Sequence, residues 1–195
     1  MSQRFAVSFD YRCPFARNAQ EAVVTGLREG RDWDVRFLAF SLDQVHVSED
    51  EPPVWERPPA ERGSGVLALE WGIAVRDAFP EHFRAAHIAL FAARHDHGEK
   101  LAEESVLRAA IGSVELDPDA VAAEVASGRP LATLAAEHTE AVKQYAMFGV
   151  PTFVIGERAA FARLMERDRP EDIDRLLDLF EFERLNELKY TRIPR

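Results

Sequence analysis

The sequence predicts an α/β layered fold with an all-helical block set into its middle. Three observations predict it. Apolar residues alternate over Phe5–Phe9 and again over Val35–Ala39, with a helix-forming stretch between them. An alanine-rich run from Val66 to Phe148 carries helix breaks at intervals. A β-branched and aromatic stretch at Thr152–Ile155 is followed by an amphipathic pattern.

Taken in order, Phe5, Val7 and Phe9 face one way against Ala6 and Ser8, a strand pattern. Asp10–Ala16 turns the chain, and Pro14 suits the first position of a helix, where its missing N–H is no loss. That helix extends to about Glu29, with Ala16, Ala19, Val23 and Leu27 at helical spacing and Gly30 as its stop. A second strand at Val35–Ala39 completes a unit short enough to be a parallel β-α-β. Residues 41–65 hold Pro52-Pro53, Pro58-Pro59, Trp55 and Gly63-Ser64-Gly65, and are expected to be irregular. Four or five helices are expected between Val66 and Phe148, broken at Pro80, Gly98, Asp117-Pro118 and Gly128-Arg129-Pro130. Asp117 is the expected cap of the helix that Pro118 opens. A strand at Thr152–Ile155, a short partner over Ala159–Leu164 and a long last helix follow. That helix's apolar face is read as Ile173, Leu176, Leu177, Phe180 and Leu185. The expected organisation is one unit from residues 1–64 and 149–195, with residues 65–148 as an inserted helical domain.

The 195-residue chain has a net charge of −10, which argues against nucleic acid or an anionic membrane as a partner. No apolar run approaches the roughly 18 residues of a membrane span, and the first residues do not read as a signal peptide. A cytoplasmic location is therefore expected. The single cysteine, Cys13, excludes an internal disulfide. No metal site is expected: His95, Asp96 and His97 read as a solvated helix end, with Gly98 terminating it. His46, Trp55 and Glu56 are candidates to line a cleft, with a surface loop anchored by the tryptophan as the plainer reading. His82, His87 and His138 have no partner that the sequence names.

Chemistry is expected at Cys13-Pro14-Phe15-Ala16. A cysteine just before a first helical turn faces unpaired N–H groups and the positive end of the helix dipole. Both favour the thiolate, which is the nucleophile. Tyr11, Arg12, Pro14 and Phe15 flank the thiol and are candidates for substrate contact. Arg12 could also stabilise the thiolate or grip a carboxylate. Far along the chain, Gly149-Val150-Pro151-Thr152 enters a strand at a proline, which is allowed at a strand's first residue.

Strand, Cys-Pro-x-x, helix, strand, long helical insertion, Val-Pro-Thr and strand pair together resemble the DsbA-like branch of the thioredoxin superfamily. The resemblance covers nearly the whole chain in order and implies a thioredoxin-like fold, β-α-β … β-β-α. It also implies that Val150–Pro151 is cis and lies against Cys13, leaving the Val150 backbone free to pair with a bound thiol or peptide. The chain departs from the dithiol members at Ala16, where they carry a second cysteine. A disulfide-donor cycle is thereby closed to it, and monothiol chemistry remains. The insertion is also similar to kappa-class glutathione transferases and 2-hydroxychromene-2-carboxylate isomerase, which carry Ser-Pro-Tyr at the place of Cys13-Pro14-Phe15.

Three functions follow as expectations. The first is a monothiol oxidoreductase acting on a small-molecule disulfide, peroxide or electrophile, with a low-molecular-weight thiol as co-reductant. The second is a transferase or isomerase in which a bound thiol cofactor is the nucleophile and Cys13 stands in for the family serine. The third is a non-catalytic binding scaffold. No tightly bound cofactor is expected, and a glutathione-like or mycothiol-like thiol is the candidate co-substrate. The oligomeric state stays open, a homodimer included.

Overall fold

The computed structural model describes residues 2–48 and 50–185. Its centre is a four-stranded sheet in the order β2-β1-β3-β4. Strand β1 (Gln3–Phe9) runs parallel to β2 (Trp33–Ala39), with Phe5 opposite Val35 and Val7 opposite Phe37. On its other side β1 pairs antiparallel with β3 (Thr152–Ile155), Val7 facing Phe153, and β3 pairs antiparallel with β4 (Arg158–Phe161). Helix α1 (Pro14–Arg28) makes the crossover from β1 to β2. The fold is thus the thioredoxin-like α/β arrangement with a helical insertion that the sequence predicts.

Residues 41–63 are less irregular than expected. A one-turn helix, α2 (Leu42–Val45), begins at Ser41, whose hydroxyl accepts the N–H of Gln44 at 3.2 Å. Two 3₁₀ turns follow at Val54–Glu56 and Pro59–Glu61. Pro53, Pro58 and Pro59, which suggested an irregular segment, instead start these turns, since proline's fixed φ suits a turn's opening.

Five helices fill the insertion: α3 (Ser64–Ala78), α4 (Pro80–His95), α5 (Glu104–Gly112), α6 (Pro118–Ala126) and α7 (Arg129–Tyr145). Asp117 caps α6, its carboxylate accepting the N–H of Asp119 at 2.9 Å. Helix α3 is the hub, touching α4, α5, α6 and α7, and α7 lies along β2. The free edge of β2 is covered by side chains: Glu137 accepts the N–H of Ala39 at 2.9 Å, and Arg76 donates to the Phe37 carbonyl at 2.8 Å.

The last helix, α8 (Pro170–Phe180), packs on α1 and ends short of Leu185, which lies in a turn beyond it. Asp178 and Glu181 place negative charge at the helix's negative end, with no basic residue in the last turn to offset it. Residues 186–195, assigned with this segment from sequence, lie outside the described residues.

One apolar core runs from the sheet into the helical block. Phe9, Tyr11, Phe91 and Leu90 are wholly buried in it, with Phe9 and Tyr11 ring centroids 5.3 Å apart and Tyr11 and Phe91 4.8 Å apart. Each such side chain contributes about 1.5–3 kcal/mol through burial. The core therefore fixes the end of β1, and with it the turn that carries Cys13.

Candidate functional site

Cys13 is the N-cap of α1. Its backbone is extended (φ −88°, ψ 117°), and its sulfur accepts the N–H of Ala16 at 3.4 Å. Pro14 occupies the first helical position and is exposed. From the far end of the chain, the Val150–Pro151 peptide is cis, and the Val150 carbonyl accepts the Cys13 thiol at 3.4 Å. That loop is pinned to β1: Ser8 Oγ accepts the Thr152 N–H at 2.8 Å, and the Thr152 hydroxyl donates to the Gly149 carbonyl at 2.8 Å.

The electrostatics overturn one expectation. The Cys13 thiol is 9% exposed, and burial pushes its pKa up from the usual cysteine value. The N–H groups of Ala16 and Phe15 pull the other way, as does the charge of Arg163, but burial outweighs them. The helix start alone would favour the thiolate. In this site the resting group is a thiol, donating its hydrogen to Val150.

Tyr11 is no substrate contact. It is fully buried, and its hydroxyl donates to Nδ1 of His87 at 2.8 Å. Gln20 donates its amide N–H to the Ser8 carbonyl at 3.1 Å, so its Oε1 accepts Nε2–H of His87 at 3.2 Å. His87 thereby acquires the partners that the sequence did not name. Burial pushes it down to about 3, so it stays neutral. His138 also gains partners: its Nδ1 accepts the Ser41 N–H at 3.2 Å, and its ring stacks on Phe40 at 4.1 Å.

Arg12 is committed to structure as well. Its guanidinium pairs with Asp43 at 2.8 Å and lies 3.5 Å from Asp10. Asp10 is wholly buried and accepts the N–H groups of Arg12 at 2.9 Å and Leu42 at 2.8 Å. Burial still pushes its carboxyl above the ordinary range, against the pull of Arg12. Asp43 also accepts the Gly65 N–H at 3.0 Å, opening α3. A Cβ at Gly65 would meet Arg12 Nε at 2.5 Å, so only glycine lets the helix start come this close. The cluster ties residues 41–65 and the helical block to the turn beside Cys13.

Elsewhere, Trp55 is half-buried with its ring 5.5 Å from His138, while His46 and Glu56 are exposed. As expected, α4 ends at His95 with Asp96, His97 and Gly98 exposed, but two of these side chains have partners that the sequence does not name. His95 bonds the Tyr11 carbonyl at 2.9 Å, and Asp96 pairs with Arg17 at 2.5 Å. Around the sulfur the structure therefore brings together Cys13, Pro14, Phe15, Val150 and Pro151, and it turns Tyr11 and Arg12 inward. Arg163, just past β4, joins the site. No spacing in the sequence marks it, because a hydrogen bond across strands places it there.

A family model described as a DSBA-like thioredoxin domain matches residues 72–178. That stretch holds Val150-Pro151 and begins after Cys13. No curated protein matches the chain. Among solved structures, a 2-hydroxychromene-2-carboxylate isomerase aligns at TM-score 0.66 and 16% identity, over 93% of this chain and 97% of that one. A Pseudomonas aeruginosa DsbA variant aligns at TM-score 0.62 and 21% identity, over 94% and 88%. A thioredoxin-like oxidoreductase from Silicibacter pomeroyi DSS-3 aligns at TM-score 0.60 and 18% identity, over 92% and 86%. At these identities the likeness is one of fold.

Proposed function

Because the chain belongs to the family of DSBA-like thioredoxin domains, whose members are oxidoreductases or isomerases, we propose that Cys13 acts as a monothiol. Its partner is a small-molecule disulfide or electrophile, and a low-molecular-weight thiol of the glutathione or mycothiol kind restores it, in thiol-reducing surroundings. One observation carries this reading: the sulfur lies between the Ala16 N–H and the Val150 carbonyl, 3.4 Å from each.

With a disulfide R–S–S–R′, the Cys13 S–H bond breaks and a Cys13–S–S–R bond forms. The R′S group leaves with the electron pair of the old S–S bond and takes up the released proton. A second thiol R″SH then attacks the R sulfur, giving R–S–S–R″, and Cys13 regains its proton. The Val150 carbonyl positions the thiol hydrogen in the resting state. The Ala16 N–H is already aimed at the sulfur when it turns anionic. Ala16 supplies no resolving thiol, so the second step belongs to the small thiol.

The test is direct. Incubation with an oxidised small thiol is expected to add one mixed-disulfide mass to the wild type and none to Cys13→Ser, reversed by the reduced thiol. An unmodified wild type under those conditions would sink the proposal.

A second reading has an observation of its own. A thiol that keeps its proton can donate a hydrogen bond to the sulfur of a bound thiol cofactor, as a serine hydroxyl would. Cys13→Ser separates the two: retained turnover favours the cofactor as nucleophile, and lost turnover favours Cys13.

A further inference from the structure

Arg163 stands beside the Cys13 site with no carboxylate partner among the described residues. Both of its sequence neighbours are fastened to the site. Ala162 donates its N–H to the Pro151 carbonyl at 3.1 Å, and the Leu164 carbonyl accepts the Asn18 side-chain amide at 2.8 Å. The Arg163 backbone is thus held between the Val150–Pro151 loop and α1.

Its guanidinium lies over two rings, 5.1 Å from the centroid of Phe15 and 5.4 Å from that of Phe161. The Phe161 ring is in turn 5.1 Å from Phe148, which is 65% exposed and leads directly into Gly149-Val150. Three aromatic rings and one cation therefore form a continuous shelf from the start of α1 to the proline loop. Among the described residues, the nearby Arg158, Arg167 and Arg169 are engaged by a backbone carbonyl or by carboxylates. Arg163 has rings beside it and no carboxylate.

On a chain of net charge −10 an anion meets repulsion over most of the surface, so a site that takes one needs a local cation. Arg163 is exposed, and the two rings under its guanidinium shield one side of it from water. Asp10, the carboxylate whose charge bears on Cys13, is sealed in the core behind Arg12.

We infer that Arg163, on the shelf of Phe15, Phe161 and Phe148, selects the substrate of Cys13: a small disulfide or electrophile bearing a carboxylate, with a flat or apolar portion against Phe148. The inference rests on the reading of Cys13 as the reacting thiol. Arg163 acts as a positioning residue, engaging the carboxylate while sulfur attacks sulfur.

The single cysteine makes the test clean. The folded protein is reacted with dithiobis(nitrobenzoate), an aromatic dianion, and with dithiodipyridine, an uncharged aromatic disulfide, and the ratio of the two rates is taken. The same thiolate attacks both probes, so the ratio is blind to how much of it is present. Arg163→Gln is expected to lower the anion-to-neutral ratio about three- to fivefold, the size of one exposed ion pair. Arg163→Lys keeps most of the ratio, and half-molar salt erodes it in the wild type. Thermal unfolding of both variants checks that the fold is intact. A ratio that Arg163→Gln leaves unchanged overturns this inference alone. No reaction with either probe overturns the thiol-exchange reading, and this inference with it.

Discussion

The Tyr11 hydroxyl lies 2.8 Å from Nδ1 of His87, across 76 residues of chain. One residue stands two positions before Cys13, and the other lies in the middle of the helical block. The bond is wholly buried, and the helix opposite leaves room for it only because residue 72 is glycine: a Cβ there would meet the hydroxyl at 2.2 Å. The turn bearing Cys13 is thus fixed by the insertion as well as by its own strand.

Replacing Tyr11 with phenylalanine should therefore act on stability and leave Cys13 chemistry alone. His87 Nδ1 would lose its donor inside the core, at a cost of about 1–3 kcal/mol. Urea unfolding reads the loss, and mixed-disulfide formation at Cys13 is expected to proceed at the wild-type extent. An unchanged urea midpoint would show that the bond contributes nothing.

His138 predicts a pH effect of definite sign. Burial pushes it down to about 4, well below the free-histidine value of about 6.5. Its neutral form is the one the fold accepts, so its stabilising contribution is complete above pH 6.5 and is lost as pH falls towards 4. Between those limits the loss amounts to about 1.4 kcal/mol per pH unit. Asp10 and Glu70, whose carboxyls are pushed up by burial, titrate with the opposite sign, so the comparison must be made against a variant. His138→Asn, whose amide oxygen can still accept the Ser41 N–H, should show a shallower fall in urea-derived stability over pH 6.5–4.5. Parallel profiles would remove His138 from the account.

Much of the fold was legible because it is written in short-range patterns. Alternation gave β1 and β2, proline and glycine gave the helix breaks, and Asp117-Pro118 gave a cap. The Cys13 and Val150–Pro151 pairing was legible from two motifs far apart. What stayed hidden was set by packing across long separations. Tyr11 and Arg12 sit beside the cysteine in sequence, and nothing local shows that His87 and Asp43 draw them inward. Arg163 lies well outside any motif, and the hydrogen bonds that bring its neighbours to Pro151 and Asn18 carry no composition signal. The direction of the Cys13 shift was missed for the same reason. The helix N-terminus is a local feature, whereas the burial that outweighs it comes from the whole fold.

That shift is itself testable. The rate of Cys13 alkylation by iodoacetamide should keep rising past the ordinary cysteine midpoint of about pH 8.5. Burial is the cause, so the same cysteine in urea-unfolded chains should titrate lower than in the folded protein. A folded midpoint below that of the unfolded chain would mean that the Ala16 and Phe15 N–H groups win over burial.

Arg12 gives the last prediction. Among the described residues its guanidinium is the one cation beside Asp10, and it is itself steadied by Asp43. Removing one partner from a buried ion pair leaves a charge without its counterion, which typically costs about 3–5 kcal/mol. Asp10 retains two N–H donors, and Arg12 is only partly buried, so Arg12→Gln should fall at or below the low end of that range at pH 7. The sign with pH follows from the Asp10 carboxyl, which burial already raises and which would rise further without Arg12. A raised carboxyl is neutral at higher pH in the folded state than in the unfolded one. The penalty is therefore full where the carboxyl is ionised and shrinks as pH falls through its folded value. The difference in urea-derived stability between wild type and Arg12→Gln should narrow as the pH is lowered from 7. A gap that stays constant or widens on acidification would show that Arg12 steadies this turn through Asp43 alone.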